Sequence, residues 1–137
     1  MLKTSIFAAL ALVALAACAS NPPTTQPLPR NFALLQEAEA GKLAMPALVE
    51  FYSDYCMSCR IIRGEIGVLD RQYDGRVKFI YIDTELPATQ PLMAKYNVRG
   101  VPAFAFIDRR GSVVSTAFGL SGEQTITHTL NLLTAQP

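Results

Sequence analysis

Residues 51–60 read FYSDYCMSCR, and two residues separate Cys56 from Cys59. A pair at that spacing can ligate a metal, lock a loop or exchange electrons. A zinc site normally takes four ligands, and the chain offers a single histidine and no second C-x-x-C. Met57 between the two thiols leaves a soft copper(I) site as an alternative. A disulfide closing so small a loop removes little unfolded-state entropy, which argues against a purely structural bond. Electron exchange is the chemistry that best fits two adjacent thiols and little else.

The elements around the pair give that chemistry a direction. PALVEFYS (46–53) is a short apolar run bounded by Pro46 and reads as a buried strand. From Cys56 onward Cys59, Ile62, Ile66, Leu69 and Tyr73 recur at steps of three and four, one apolar stripe of a helix. Gly64 and Gly67 weaken that helix and are expected to kink or split it. Cys56, in the first turn, faces free backbone N–H groups and the positive end of the helix dipole, which favour its thiolate, the nucleophilic form. Cys59 lies one turn further in on the same side and is expected to be more buried. The asymmetry assigns roles: Cys56 attacks a substrate disulfide, and Cys59 resolves the mixed disulfide.

The remaining segments build a scaffold. Residues 31–42 read as a helix with Asn31 as N-cap and Gly41 at its end. RVKFIYID (76–83) reads as a central strand, and residues 88–96 as a short helix. PAFAFID (102–108) and SVVSTAF (112–118) flank RRG as a hairpin, and residues 122–134 form a closing helix that buries Ile126, Leu130 and Leu133. Alternating helices and strands followed by a hairpin imply an α/β fold, a mixed sheet with helices on both faces.

FYSDYCMSCR and KYNVRGVPAFAFID (95–108), in this order and spacing, together with FG at 118–119, resemble the thioredoxin family. The resemblance covers roughly residues 31–135 and implies a three-layer α/β/α fold with a mixed four- to five-stranded sheet. It implies that Cys56 attacks and Cys59 resolves. Pro102 matches the family's cis-proline, with Val101 before it offering its backbone to an extended substrate. Glu50 falls where the family has a buried acid, whose desolvation raises its pKa and lets it take the Cys59 proton. Tyr55 replaces the family's usual tryptophan, Met57-Ser58 its Gly-Pro and Arg60 its lysine. Tyr55, Met57 and Ser58, with Val101, would form the substrate-facing rim. Phe79 stands where many members have a lysine near the acid, and TTQPLPR is a poor match to the family's first strand. FYSDYC most resembles the domains of periplasmic disulfide-interchange reductases.

The N-terminus indicates where this chemistry operates. The chain has 137 residues, half of them hydrophobic, which suits one domain with a real core. Residues 1–17 contain Lys3 and a 12-residue apolar run from Ile6, too short to span a bilayer but suited to a secretory signal. The run ends in Leu15-Ala16-Ala17-Cys18, which resembles the lipobox of bacterial lipoproteins, where the cysteine carries a diacylglycerol. Residues 18–30, with four prolines, read as an extended tether, leaving residues 31–137 as the domain. With Cys18 lipidated, Cys56 and Cys59 are the thiols left to pair in an oxidising compartment. The resemblance places the protein on the periplasmic side of a bacterial membrane. Ala19, where lipoproteins kept at the inner membrane have Asp, favours the outer one. Past Lys3 the chain carries 11 basic and 11 acidic residues, and without a basic block nucleic acid is not an expected partner.

The resulting expectation is a monomeric, membrane-tethered thiol–disulfide oxidoreductase without a cofactor beyond the Cys56–Cys59 disulfide. Its partners would be protein disulfides and a membrane or periplasmic dithiol donor. Met57-Ser58 adds no charge and Glu50 disfavours nearby negative charge, so the pair leans toward reduction of disulfides in exported proteins. The alternative is a redox-independent binding module or a copper(I)-handling protein on the same scaffold. His128 is expected on the surface; Asp54 either acts on the active site or is merely a solvated loop acid; Arg60 and Arg63 are expected on an exposed helix face, where they could steer an acidic partner. Tyr52, Tyr81, Phe104 and Phe106 are expected to pack in the core or on the sheet.

Overall fold

The computed structural model describes residues 30–120 and 123–135. The expected signal peptide (1–17), Cys18 and residues 19–29 of the tether lie outside the described residues. Helix α1 (Arg30–Glu39) leads into β1 (Ala47–Tyr52), α2 (Met57–Gln72), β2 (Lys78–Asp83), a 3₁₀ turn (Pro87–Thr89), α3 (Gln90–Lys95), β3 (Ala103–Ile107), β4 (Val113–Phe118) and α4 (Glu123–Ala135). This is the order read from the sequence.

The described strands form one mixed sheet in the order β2-β1-β3-β4. β1 pairs parallel with β2 and antiparallel with β3, and β3 and β4 form the antiparallel hairpin. Side chains alternate along a strand, so Val49 and Phe51 enter one core while Leu48 enters the other. The first core is closed by Phe32, Leu35 and Ala38 of α1 and by Tyr96 after α3. The second is closed by the Ile62, Ile66 and Leu69 stripe of α2 and by Ile126, Leu130 and Leu133 of α4. The three-layer arrangement follows from this division.

Three expectations are corrected. β2 is an edge strand among the described residues, not a central one. Its composition looks central because helices cover both of its faces: Phe79 packs toward α2 and α4, while Ile80 and Ile82 pack toward α1. Asn31 is inside α1 rather than at its cap, and the helix starts one residue earlier; the Asn31 amide instead donates to the Tyr81 carbonyl at 2.8 Å, tying α1 to the β2 edge. Finally, α2 runs unbroken through Gly64 and Gly67. Each glycine costs about 1 kcal/mol in a helix interior, less than the burial of the four stripe residues on that helix returns.

Gly41 ends α1 as expected, at φ 64°, with its N–H on the Ala38 carbonyl and that of Lys42 on the Glu37 carbonyl. At this point the chain meets the hairpin tip backbone to backbone. A Cβ on Gly111 (φ 88°) would lie 2.2 Å from the Glu39 carbonyl oxygen.

Candidate active site

β1 is buried along nearly its whole length and stops at Tyr52, where Ser53 begins a tight turn. The Ser53 hydroxyl accepts the Tyr55 N–H at 3.1 Å, and its carbonyl accepts the Cys56 N–H at 3.2 Å. That turn delivers Cys56 to the N-cap of α2 with an extended backbone (φ −84°, ψ 116°). Its sulfur accepts the Cys59 N–H at 3.2 Å, the role an oxygen plays at an ordinary cap. The sequence reading put Cys56 inside the first turn; at the cap, one residue earlier, it meets the free N–H groups directly.

The two thiols are unequal, as the spacing predicted. Both are free; Cys56 is half-buried and Cys59 is 0% exposed. Burial pushes the Cys59 thiol up to about 11, with the neighbouring Cys56 and the charge of Glu50 acting in the same direction and a backbone hydrogen bond at Ser53 acting against them. Cys59 therefore becomes a nucleophile only when something takes its proton.

The Cys56 thiol donates to the Val101 carbonyl at 3.4 Å. The Val101–Pro102 peptide bond is cis. The Pro102 carbonyl accepts the Gly119 N–H at 2.9 Å, which pins this segment to the end of β4. Tyr55 (86% exposed) and Met57, the chain neighbours of Cys56, and Ile61 on α2 are exposed apolar side chains, and the Arg60 guanidinium reaches the Met57 sulfur at 3.6 Å. Ser58 is half-buried.

Glu50 sits in mid-strand, opposite Tyr81 on β2 and Phe104 on β3, on the sheet face that α2 covers. It is 4% exposed, and burial pushes its carboxyl up from 4.5 to about 7, against the opposing pull of Arg63. It opens onto a cavity of about 430 Å³ lined also by Tyr52, Asp54, Arg63, Gly67 and Tyr81.

The sequence reading missed this cavity. It sought a cation for Glu50 at position 79, but Phe79 pairs with Leu48 and packs in the core. The cation is Arg63, four residues after Cys59 and so on the same face of α2. Asp54 is not merely solvated: it holds Arg63 at 2.6 Å. Phe104 and Phe106 are core residues and Tyr52 and Tyr81 pack on the sheet, as expected; the two tyrosines are half-buried and also wall the cavity, with the Tyr81 hydroxyl donating to Asp70 at 2.8 Å. His128 is exposed on α4, away from the site.

The elevated carboxyl has a consequence for stability. In the folded protein Glu50 holds its proton up to about pH 7, while in the unfolded chain it releases it near 4.5. Between these values the folded state binds more protons, so raising the pH through this window lowers stability, by up to about 3 kcal/mol. Urea unfolding at pH 5 and pH 8 should show that loss in the wild type, and Glu50→Gln should remove most of the difference.

The thioredoxin family model matches residues 36–131 of the chain. The thiol:disulfide interchange protein TxlA of Synechococcus elongatus is 29% identical over 137 residues, covering 96% of this chain and 71% of that protein. The chloroplastic thioredoxin-like protein HCF164 of Arabidopsis thaliana is 30% identical over 97 residues, 71% of this chain, and the chain spans only 37% of that relative's length. The thioredoxin of Porphyra purpurea is 29% identical over 87 residues, 64% of this chain and 78% of that protein. In fold, the X-ray structure of Fasciola hepatica thioredoxin superposes with a TM-score of 0.61 at 24% identity, covering 74% of this chain and 89% of that one.

Proposed function

Because the chain belongs to the thioredoxin family, we propose that it is a thiol–disulfide oxidoreductase that reduces disulfides of exported proteins while tethered to a membrane through a lipid on Cys18. The observation that carries the chemistry is the pairing of a half-buried cysteine at a helix N-cap with a fully buried one a turn later, above a carboxyl at about 7. The printed name of the TxlA relative, a thiol:disulfide interchange protein, supports the same reaction.

The steps follow from the geometry. The Cys56 thiolate attacks one sulfur of a substrate disulfide; the S–S bond breaks, and the other substrate sulfur leaves as a thiolate and takes a proton. Tyr55, Met57 and Ser58 receive the substrate, and the Val101 backbone, whose carbonyl accepts the Cys56 thiol hydrogen in the free protein, pairs with its extended chain. Glu50 as carboxylate takes the Cys59 proton. The Cys59 thiolate attacks the Cys56 sulfur, the Cys56–Cys59 disulfide forms, and the second substrate thiolate departs. Two electrons have passed to the substrate, and an external dithiol restores the pair.

The lipobox at Leu15–Cys18 and the prolines of residues 19–29 support tethering on the periplasmic side, with the outer membrane favoured by Ala19. Reduction of insulin disulfides by dithiothreitol tests the reaction. The wild type should accelerate it, and Cys56→Ser, which keeps a capping atom but no nucleophilic sulfur, should return it to the uncatalysed rate. Equal rates with and without the wild-type protein would refute the proposal.

A further inference from the structure

The mouth of the Glu50 cavity is built around one cation. Arg63 reaches it from α2, with its guanidinium 2.6 Å from Asp54 and over the Tyr52 ring at 5.5 Å from the centroid. A charge that would otherwise sweep through solvent is thereby fixed on one side of a cavity whose other wall is a buried carboxyl. Among the described residues, no other cation lines that cavity. The further groups facing Glu50 are Cys59 on α2, Tyr52 on its own strand and Tyr81 on β2, whose hydroxyl is committed to Asp70. None of these can supply positive charge, and Asp54 acts through its hold on Arg63.

We propose that Arg63 is a positioning residue for proton transfer: clamped by Asp54 and Tyr52, it supplies the positive charge against which Glu50 ionises and so keeps a carboxylate ready for the Cys59 proton. The proposal rests on the oxidoreductase reading for its purpose, but the charge relation between Arg63 and Glu50 is independent of turnover. The proton moves from the Cys59 sulfur to a Glu50 oxygen, and Arg63 exchanges none. Because the guanidinium is half-exposed and already shared with Asp54, its influence is moderate and sensitive to salt.

The test is a carboxyl ¹³C NMR titration of the reduced full-length protein, with the Glu50 signal identified as the one lost in Glu50→Gln. Arg63→Met keeps the stem but removes the charge, and should raise the Glu50 midpoint by about 0.5–1 pH unit. Arg63→Lys should restore most of the wild-type value. Raising the salt from about 0.01 M to about 1 M, which shortens the screening length from about 30 to about 3 Å, should raise the wild-type midpoint and leave that of Arg63→Met unmoved. In turnover, Arg63→Met should shift the acid limb of the pH profile upward by the same increment, a change that a purely structural role would not produce. A Glu50 midpoint unchanged in Arg63→Met, or raised equally in Arg63→Lys, would overturn the proposal. A wild type that fails to reduce disulfides while its Glu50 midpoint still follows Arg63 would count against the oxidoreductase reading alone.

Discussion

Cys59→Ala should arrest the protein on its substrate. The attacking sulfur of Cys56 stays half-buried at the helix cap, and the Cys59 backbone N–H that it accepts survives the substitution. Attack on a substrate disulfide therefore still occurs, but nothing inside the protein can displace the substrate from Cys56. Turnover should fall by at least about a thousandfold, because the two thiols act as a unit. Covalent complexes should accumulate that disappear on reduction and do not form when Cys56 is also replaced. The lost sulfur leaves only a small void, at a cost of about 1 kcal/mol, so the arrested species remains folded. Non-reducing gels of cells making the variant would show these complexes. Undiminished turnover would mean that Cys59 does not resolve the intermediate.

The second large effect concerns stability and lies far from the sulfurs. Gly111→Ala places a methyl 2.2 Å from the Glu39 carbonyl oxygen and 2.7 Å from its carbon, at a residue with φ 88°. Both obstacles are backbone, so neither can rotate away. The hairpin tip would have to lift off the end of α1, disturbing a turn in which Asp108 accepts the N–H groups of Arg110 and Ser112, both at 2.9 Å. A loss of about 3 kcal/mol or more is expected, lowering the Tm by more than about 10 °C. Gly75→Ala is the control: its φ is 72°, but nothing lies within 4 Å of the added methyl. It should cost about 1–2 kcal/mol, the backbone strain alone. Equal losses in the two variants would show that the close approach at Gly111 does not matter.

The legibility of this fold in its sequence was uneven, for physical reasons. The order of elements was readable because each apolar stripe has one period: three and four for α2, continuous for β1 and β3. The roles of Cys56 and Cys59 could be assigned because depth along a helix follows from spacing. What could not be read was lateral: which strand is an edge, and which side chains meet across a cavity. RVKFIYID looks central because burial under helices on two faces selects the same residues as burial between strands. Asn31 looked like a cap because asparagine before an apolar run usually is one, yet here it caps a strand edge instead.

The site divides in the same way. Glu50 was found from its place in a motif, and its elevated carboxyl follows from burial alone. Arg63 was passed over as surface charge because half of it is surface. Its meaning depends on the parallel register that sets Glu50 opposite Tyr81, and on the Asp54 loop folding back over α2. The step of four from Cys59 was the available signal. It indicated a shared helix face, but not that the sheet beneath it carried a carboxyl.

The most direct measurement is the reduction potential of the Cys56–Cys59 pair, taken by equilibrating the protein with glutathione buffers and trapping free thiols by alkylation. The neutral Met57-Ser58 dipeptide and the proximity of Glu50 predict a value near that of thioredoxin, about −270 mV, which suits delivery of electrons to protein disulfides. A value near −120 mV would mark an oxidant and reverse the proposed electron flow. A pair that forms no disulfide at all would contradict the redox reading altogether.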